Sequence, residues 1–240
     1  MDIKVFEIGR YASRNYILET PDGVIVVDTG YQGGFPKFRD AFEKRWPLSN
    51  VRYIFMTHHH DDHAGFLGEL MSATDAPVVL HKLAIEYLAT GKSNEKDGAG
   101  FSSFVASLYC RVHKDFSFPP VVVPQNRAII VDSEECQPFE ERGLPIKVLC
   151  LPGHTDDSIG LYLSETGAVF CGDAAMNAII SRARHTIYIE DAEEFGRSWD
   201  RMLALNPAMI YPTHGNPFPP SDLVRYRNYL KGRSLRPPRR

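Results

Sequence analysis

The sequence lacks several features that would place it in a special class of protein. It has four cysteines in 240 residues and no C-x-x-C pair, which excludes a disulfide framework. No apolar run approaches the ~18–20 residues that cross a bilayer, and residues 1–7 lack the basic and apolar regions of a secretory signal. We therefore expect a cytoplasmic protein with reduced thiols and no membrane partner.

The sequence also has no excess of positive charge. Its 27 Lys and Arg residues against 30 Asp and Glu residues leave a formal charge of −3, which argues against a nucleic-acid partner, because such proteins carry a basic face. Apolar residues make up 43% of the chain and charged residues 24%, as in ordinary folded proteins. The length favours one large domain, 1–240, over two.

Short apolar runs alternate with amphipathic stretches along the whole chain. The predicted strands are 3–8, 16–19, 24–27, 51–56, 77–80, 129–131, 146–151, 159–163, 168–171 and 208–211. The predicted helices are 35–46, 64–72, 82–90, 191–205 and 221–230. Several strands are apolar at consecutive positions, which indicates sheets covered on both faces. Packed sheets with helices outside them would satisfy this pattern.

Two segments interrupt or end the pattern. Residues 91–120 begin polar and Gly-rich and then become aromatic, which predicts a helical insert. An ordinary packed helix is the favoured interpretation, with a wall of the substrate pocket as the alternative. From Ser221 onward there are seven basic residues and one acid, and we expect 231–240 to be a solvated basic tail. Its contact with an anionic partner is the alternative.

Four of the nine histidines lie within six residues, in the run Thr-His-His-His-Asp-Asp-His-Ala-Gly over 57–65. The run lies between a predicted strand and a predicted helix, so it forms a loop. His58, His60 and Asp62 alternate and can share one side of it, whereas alternation points His59 away, towards solvent. Imidazole nitrogens and carboxylate oxygens are ligands of borderline divalent metals. The run therefore predicts a metal site.

A strand followed at once by a candidate ligand occurs three more times. Pro-Gly-His-Thr places His154 after the strand 146–151, Gly-Asp places Asp173 after 168–171, and Pro-Thr-His-Gly places His214 after 208–211. Residues just past strand ends gather on one edge of layered folds. We therefore expect these three side chains to join the histidine run.

This ordered set of ligands resembles the metallo-β-lactamase-fold hydrolases. The run over 57–65 together with Pro-Gly-His-Thr is especially similar to the glyoxalase II branch, and Asp28 in Val-Val-Asp-Thr-Gly matches the early strand-end Asp of these proteins. The resemblance extends from about Asp28 to His214. It implies an α/β fold, a four-layer αββα sandwich with the helical insert 91–120 and the site along one edge of the paired sheets.

The resemblance also implies a role for each matching residue. One metal would be held by His58, His60 and His154, and the other by Asp62, His63 and His214, with Asp173 bridging them. Asp28 would orient a ligand by hydrogen bonding. Asp62 is the candidate catalytic residue, which would orient the nucleophile and move its proton. We expect two divalent ions, zinc first, with iron and manganese as alternatives because these ligands accept all three.

Two such cations would share a hydroxide that attacks an electrophilic carbonyl or phosphorus. The predicted function is hydrolysis of a small ester, thioester or lactone. Asp173 argues against true β-lactamases, which lack this residue. Glyoxalase II proper adds a C-terminal helical domain for which little chain remains after His214, and acyl-homoserine lactonases carry Tyr where this chain has Met176. The small-molecule substrate itself stays open.

Three alternatives to this function remain open. A phosphodiesterase or ribonuclease could use the same metals, although the net charge argues against it. A mononuclear iron persulfide dioxygenase resembles the same motif but fills one metal site only. A non-catalytic metal-binding module would be expected to have lost ligands, and this chain retains all seven.

Overall fold

A computed structural model describes residues 3–10, 13–92, 98–112, 116–231 and 234–237. Its strands are β1 (Lys4–Arg10), β2 (Ser13–Thr20), β3 (Gly23–Val27), β4 (Val51–Phe55), β5 (Val78–His81), β6 (Gly100–Phe101), β7 (Ala128–Val131), β8 (Ile146–Cys150), β9 (Ile159–Leu163), β10 (Ala168–Gly172), β11 (Tyr188–Ile189) and β12 (Met209–Pro212). Its helices are α1 (Phe35–Phe42), α2 (Asp61–Ala64), α3 (Leu67–Ala73), α4 (Ala84–Thr90), α5 (Phe104–Val112), α6 (Ala192–Ala204) and α7 (Ser221–Tyr226). None of the helices in these ranges is long and apolar enough to span a membrane.

The chain divides into two compact units. The first comprises the described residues of Met1–Ser93 and Phe116–Asp132. Its sheet has the strand order β1-β2-β3-β4-β5-β7, antiparallel over the first three strands and parallel from β3 to β7. Strands β2 and β3 are buried at consecutive positions, because α1 and α3 contribute Phe42 and Leu70 to the core on one face. The carboxyl ends of β3 and β4 lie side by side and carry the first group of candidate ligands.

The second unit comprises the described residues of Asn94–Asp115 and Ser133–Arg240. Its main sheet has the order β12-β10-β9-β8, with only the β10–β12 pair parallel. Helix α6 buries Phe195 and Trp199 against this sheet, and the Trp199 indole N–H donates to the Ala174 carbonyl at 2.6 Å. Asp191 caps the helix by accepting from two backbone N–H groups at 2.9 Å, as Asp often does at the start of a helix. A short ribbon of β6 and β11 completes the unit.

The predicted α/β class is confirmed, and the predicted strands are all present with small differences at their ends. Three predicted helices were wrong in extent. The helix predicted over 64–72 is two helices, α2 and α3, because Phe66 leaves the helical conformation, with φ −120° and ψ 23°, where its ring packs 5.3 Å from that of Phe38. The helix predicted over 221–230 ends at Tyr226.

The helix predicted over 35–46 is also shorter and ends at Phe42. The chain turns after this residue, so that the Trp46 indole reaches the Glu19 carboxylate at 3.0 Å. The Trp46 amide still donates to the Phe42 carbonyl at 3.1 Å, so the chain continues in turns beyond the end of α1.

The two atypical segments are only partly described. Within the predicted insert, the described residues form β6 and α5, whereas 93–97 and 113–115 lie outside the described residues. The same holds for 232–233 and 238–240 of the C-terminal segment. That 1–240 forms a single domain stays a prediction.

Candidate metal centre

The first unit gathers four predicted ligands, His58, His60, Asp62 and His63, which we call the N-terminal ligand group. They follow β4, whose last residue Phe55 accepts a backbone hydrogen bond of 2.8 Å from Asp28 at the end of β3. His60 lies at the start of α2, and Asp62 and His63 lie within its single turn. A strand, a sharp loop and a helical turn therefore present the whole run at the carboxyl edge of the sheet.

The carboxylate of Asp28 orients part of this group through hydrogen bonds. Its backbone has a φ of 59°, a left-handed conformation that is costly for a residue with a Cβ and persists where surrounding contacts impose it. The side chain is fully buried. One carboxylate oxygen accepts from the Thr57 amide at 2.7 Å, and the other from the Thr57 hydroxyl and from His63 Nδ1, both at 2.8 Å. The predicted orienting role of Asp28 therefore has a structural basis.

These hydrogen bonds define which nitrogen each imidazole presents. His63 donates from Nδ1 to Asp28, which leaves Nε2 as its acceptor. The Thr57 hydroxyl donates its one proton to Asp28, so at 3.1 Å it accepts from Nδ1 of His58. His58 therefore also presents Nε2. Both rings are buried and both carry the lone pair that a metal requires.

The distances within the N-terminal ligand group match those between ligands of one ion. Two nitrogens at 2.0–2.1 Å from a tetrahedral zinc ion are about 3.3 Å apart. His58 Nε2 lies 3.1 Å from His60 Nδ1, and His63 Nε2 lies 3.6 Å from an oxygen of Asp62. The group therefore offers two ligand pairs, one of two imidazoles and one of an imidazole with a carboxylate.

The second unit gathers His154, Asp173 and His214, which we call the C-terminal ligand group. One carboxylate oxygen of Asp173 lies 3.4 Å from His214 Nε2, and the other lies 3.8 Å from His154 Nε2. His154 donates from Nδ1 to the carbonyl of Tyr188 at 2.8 Å, so its Nε2 is the acceptor. The two oxygens of this one carboxylate thus face two different imidazoles.

Close backbone packing fixes the loops that carry this group. Gly153 has a φ of 127°, and a Cβ there would lie 2.2 Å from the Phe195 amide, so the loop before His154 sits directly on α6. Gly215 has a φ of 90°, and a Cβ there would lie 2.0 Å from the Asn177 carbonyl oxygen. Only glycine fits at either position.

An arginine tethers the His214 loop to the loop that follows Asp173. Asn177 donates from its amide to the His214 carbonyl at 2.9 Å and from its side chain to the Asn216 carbonyl at 2.7 Å. Arg184 in turn donates to the Asn177 side-chain oxygen and pairs with Asp222 at 2.7 Å. Like Asp28, Arg184 has a left-handed backbone, with a φ of 61°. The sequence did not predict these contacts of Arg184, because no motif or regular spacing of residues links Arg184 to Asn177 and Asp222.

Two neighbouring groups have shifted pKa values. Burial, together with the adjacent charge of Asp62, raises the pKa of Asp61 to about 6, so this carboxyl is easily protonated when no cation is close by. Burial also raises the pKa of the Cys171 thiol far above its usual range. Because the thiolate is the reactive form, Cys171 is a packed strand residue and not a nucleophile.

The prediction that His59 is exposed was wrong. It is buried, and its ring stacks on Tyr87 with centroids 4.1 Å apart and an interplanar angle of 28°. Alternation does separate it from the ligand atoms of His58 and His60, but the side it faces is the packed helix α4 and not solvent.

Comparisons with known proteins place this geometry in context. The family model described as the Metallo-beta-lactamase superfamily matches residues 8–214. The chain is 26% identical over 205 residues to the Beta-lactamase-like protein 2 homolog of Caenorhabditis elegans, covering 85% of this chain and 56% of that protein. It is 25% identical over 205 residues to the Atrochrysone carboxyl ACP thioesterase of Claviceps purpurea, covering 85% of this chain and 51% of that protein. The chain thus spans about half the length of these curated relatives.

A solved structure gives the same result at the level of the fold. The structure described as TTHA1623 in a di-iron-bound form superimposes with a TM-score of 0.64 and 24% sequence identity, covering 95% of this chain and all of that one. At this identity the likeness shows a shared fold alone.

Proposed function

The chain belongs to the metallo-beta-lactamase superfamily, and on that premise we propose that it hydrolyses a small ester, thioester or lactone with two divalent metal ions. One observation carries the proposal: the two oxygens of Asp173 lie 3.4 and 3.8 Å from two different imidazoles. A structural carboxylate needs only one such partner, whereas a ligand shared by two ions needs both.

The proposed ligands follow the family resemblance. They are His58, His60 and His154 for one ion and Asp62, His63 and His214 for the other, with Asp173 shared. Support comes from within each ligand group: each offers two pairs of donor atoms spaced 3.1–3.8 Å apart, close to the spacing that a tetrahedral ion imposes. Neutral imidazoles and carboxylates are also the donors that zinc accepts, and iron and manganese share this preference. Zinc is our proposal, with iron as the alternative that the di-iron form of the similar structure raises.

When bound, such a pair of ions would lower the pKa of water and polarise the carbonyl group whose carbon is attacked. The protein supplies the remaining functions. Asp28 and Tyr188 fix the tautomers of His63 and His154, so that neither ring has to reorganise during turnover. Asp62 is partly exposed and has one oxygen 3.6 Å from His63 Nε2. In the proposal its other oxygen orients the attacking water and takes up its proton.

The net charge and one relative support the proposed type of bond. A thioesterase, which hydrolyses a carbonyl compound, is among the similar proteins. A phosphodiesterase acting on nucleic acid would require a basic face, and this chain has a net charge of −3. A persulfide dioxygenase needs one metal only, so in such an enzyme the Asp62–His63 pair would hold no ion. A non-catalytic module would be expected to have lost ligands, and this chain retains all seven candidates.

The proposal includes a reducing compartment, the cytoplasm. Cys171 is a buried free thiol, as expected where disulfides do not persist. The proposed substrate is a small molecule.

Metal analysis of purified variants tests the site. We expect about two ions per chain in the wild type and a clear loss in His60→Ala and in Asp173→Ala, with the larger loss in Asp173→Ala because it contacts both imidazoles of its group. His81→Ala is the matched control, since His81 accepts from the Leu83 amide at 3.3 Å and belongs to neither ligand group, so this variant should keep both ions. If both ligand variants kept two ions per chain, the ligand assignment would be wrong.

A substrate panel tests the reaction. We expect the metal-loaded wild type to hydrolyse p-nitrophenyl esters, thioesters or lactones, and His60→Ala to lose this activity at unchanged stability. Activity on bis-p-nitrophenyl phosphate alone would favour a phosphodiesterase. A stable protein with two ions and no turnover on the whole panel would favour the non-catalytic module.

A further inference from the structure

The aromatic insert and the basic tail meet in the second unit and enclose a cavity of about 410 Å³. One wall is the start of α5 with the residues before it, 102–105. The C-terminal segment contributes Tyr229, Ser234 and Arg236 to the lining, and Arg182 lines the cavity as well. The sequence left the purpose of both segments open, and neither takes part in the proposed hydrolysis.

The cavity carries two positive charges and, among its described lining residues, no negative one. Arg182 and Arg236 line it, and no acidic side chain does. Within the part of the chain that the structure describes, neither guanidinium has a carboxylate partner. Four other arginines of the same unit do pair with acids: Arg184 with Asp222, Arg197 with Glu193, Arg201 with Glu134 and Arg227 with Asp200.

Arg236 is held in place although it lies in the predicted solvated tail. Its amide donates to the Phe101 carbonyl at 3.0 Å, and the Phe101 amide donates to the Arg236 carbonyl at 2.7 Å. Its guanidinium lies over the Phe104 ring, 5.4 Å from the centroid. A stacked guanidinium still presents its N–H groups in its own plane, in a fixed orientation that suits an oxyanion. The tail is therefore not simply solvated at this point.

The remaining walls are hydroxyl-bearing and apolar. Ser102 is fixed by a 3.0 Å backbone bond to Ile187, and Ser103 caps α5 by accepting from the Ala106 amide at 3.1 Å. Phe104 and Val105 line the cavity and are 60% and 42% exposed, so together they present apolar surface there. A ligand that buried them would remove this surface from water.

We infer that this cavity binds a small molecule with one carboxylate or phosphate group and an apolar body, the anionic group lying between Arg182 and Arg236. The two guanidinium groups would bind the oxygens, and Phe104 and Val105 would cover the apolar body. This site goes beyond the proposed hydrolysis and does not depend on it.

Titration of the full-length, metal-loaded protein with three six-carbon probes tests the inference. The probes are hexanoate, hexyl phosphate and hexan-1-ol, followed by calorimetry or by NMR chemical shifts. We expect saturable one-to-one binding of an anionic probe, with the neutral alcohol roughly tenfold weaker or more, since a hydrogen bond to a charged group contributes at least this factor. The tighter of the two anions identifies the natural group as carboxylate or phosphate.

Variants locate the binding. Arg182→Gln with Arg236→Gln should weaken the anionic probe roughly tenfold or more at unchanged metal content and melting temperature. Arg225→Gln is the matched control, because Arg225 is exposed and lies over the Tyr226 ring but does not line the cavity. Binding that is equal in the double variant and the wild type overturns the inference and assigns the anion to the metals instead. Equal affinity for hexanol and hexanoate overturns it as well.

Discussion

Acidification should destabilise the protein through one buried histidine that is not a metal ligand. His185 is 2% exposed and packs against Phe195, Trp199 and Tyr229, with ring centroids 5.6, 4.6 and 5.4 Å away. Burial lowers its pKa from 6.5 to about 4, and the positive charge of Arg227 adds to this effect. The folded protein therefore holds the ring in its neutral form at a pH where an unfolded chain would protonate it.

Proton linkage gives the sign and the size of the change in the free energy of unfolding. Between pH 6.5 and pH 4 the unfolded chain binds a proton at His185 and the folded protein does not, so stability falls as the pH falls through this window. At about 1.4 kcal/mol for each pH unit, the difference between the two pKa values corresponds to about 3 kcal/mol. This is a large fraction of the roughly 5–15 kcal/mol that is typical of a folded protein.

The variant His185→Phe isolates this contribution. Phenylalanine keeps an aromatic ring among the same neighbours and has no proton to gain. Urea unfolding at pH 7, 6, 5 and 4.5 should show the wild type losing up to about 3 kcal/mol more than the variant, because all other titrating groups are common to both. His81→Gln, at a half-buried histidine, should keep the pH dependence of the wild type. Parallel pH profiles for the wild type and His185→Phe would refute the argument.

Three further substitutions have definite expected outcomes. Asp28→Asn removes the carboxylate that orients His63, so metal affinity should fall by roughly 10- to 100-fold in a chelator competition, while circular dichroism is unchanged. Arg184→Gln removes the pair with Asp222 and frees the His214 loop, so a chelator should extract metal roughly tenfold faster, and unchanged extraction would show that the tether is only structural. Asp191→Ala removes the two cap bonds of α6 and should cost about 1 kcal/mol in urea unfolding, with metal content unaltered.

The candidate ligands of the second unit could be proposed from the sequence because each follows closely on a buried strand. Continuous apolar runs such as β4 and β10 are recognisable without a structure, and the edge at which such strands end is a property of layered folds. The chemistry of the residue that follows each run is then visible as well. This is why His154, Asp173 and His214, each alone in its segment, could be grouped with one another, as they are in the second unit.

Features imposed by tertiary contacts could not be predicted. The periodicity of 64–72 continues through Phe66, whose non-helical backbone separates α2 from α3 where its ring packs against Phe38. The burial of His59 depends in the same way on Tyr87, a residue 28 positions away on helix α4. The local pattern of apolar and polar residues cannot reveal such neighbours, because they are distant in sequence.

The hydrogen bonds around Asp28 show why the atoms that prepare the site extend beyond the ligands themselves. The carboxylate accepts the only hydroxyl proton of Thr57, which obliges that oxygen to accept from His58. The same carboxylate accepts directly from His63. One buried acid therefore sets the tautomer of two imidazoles, one by contact and one through a threonine. Because Asp28 reaches all these partners only with a left-handed backbone, the strain at this residue is the structural cost of presenting two Nε2 atoms at once.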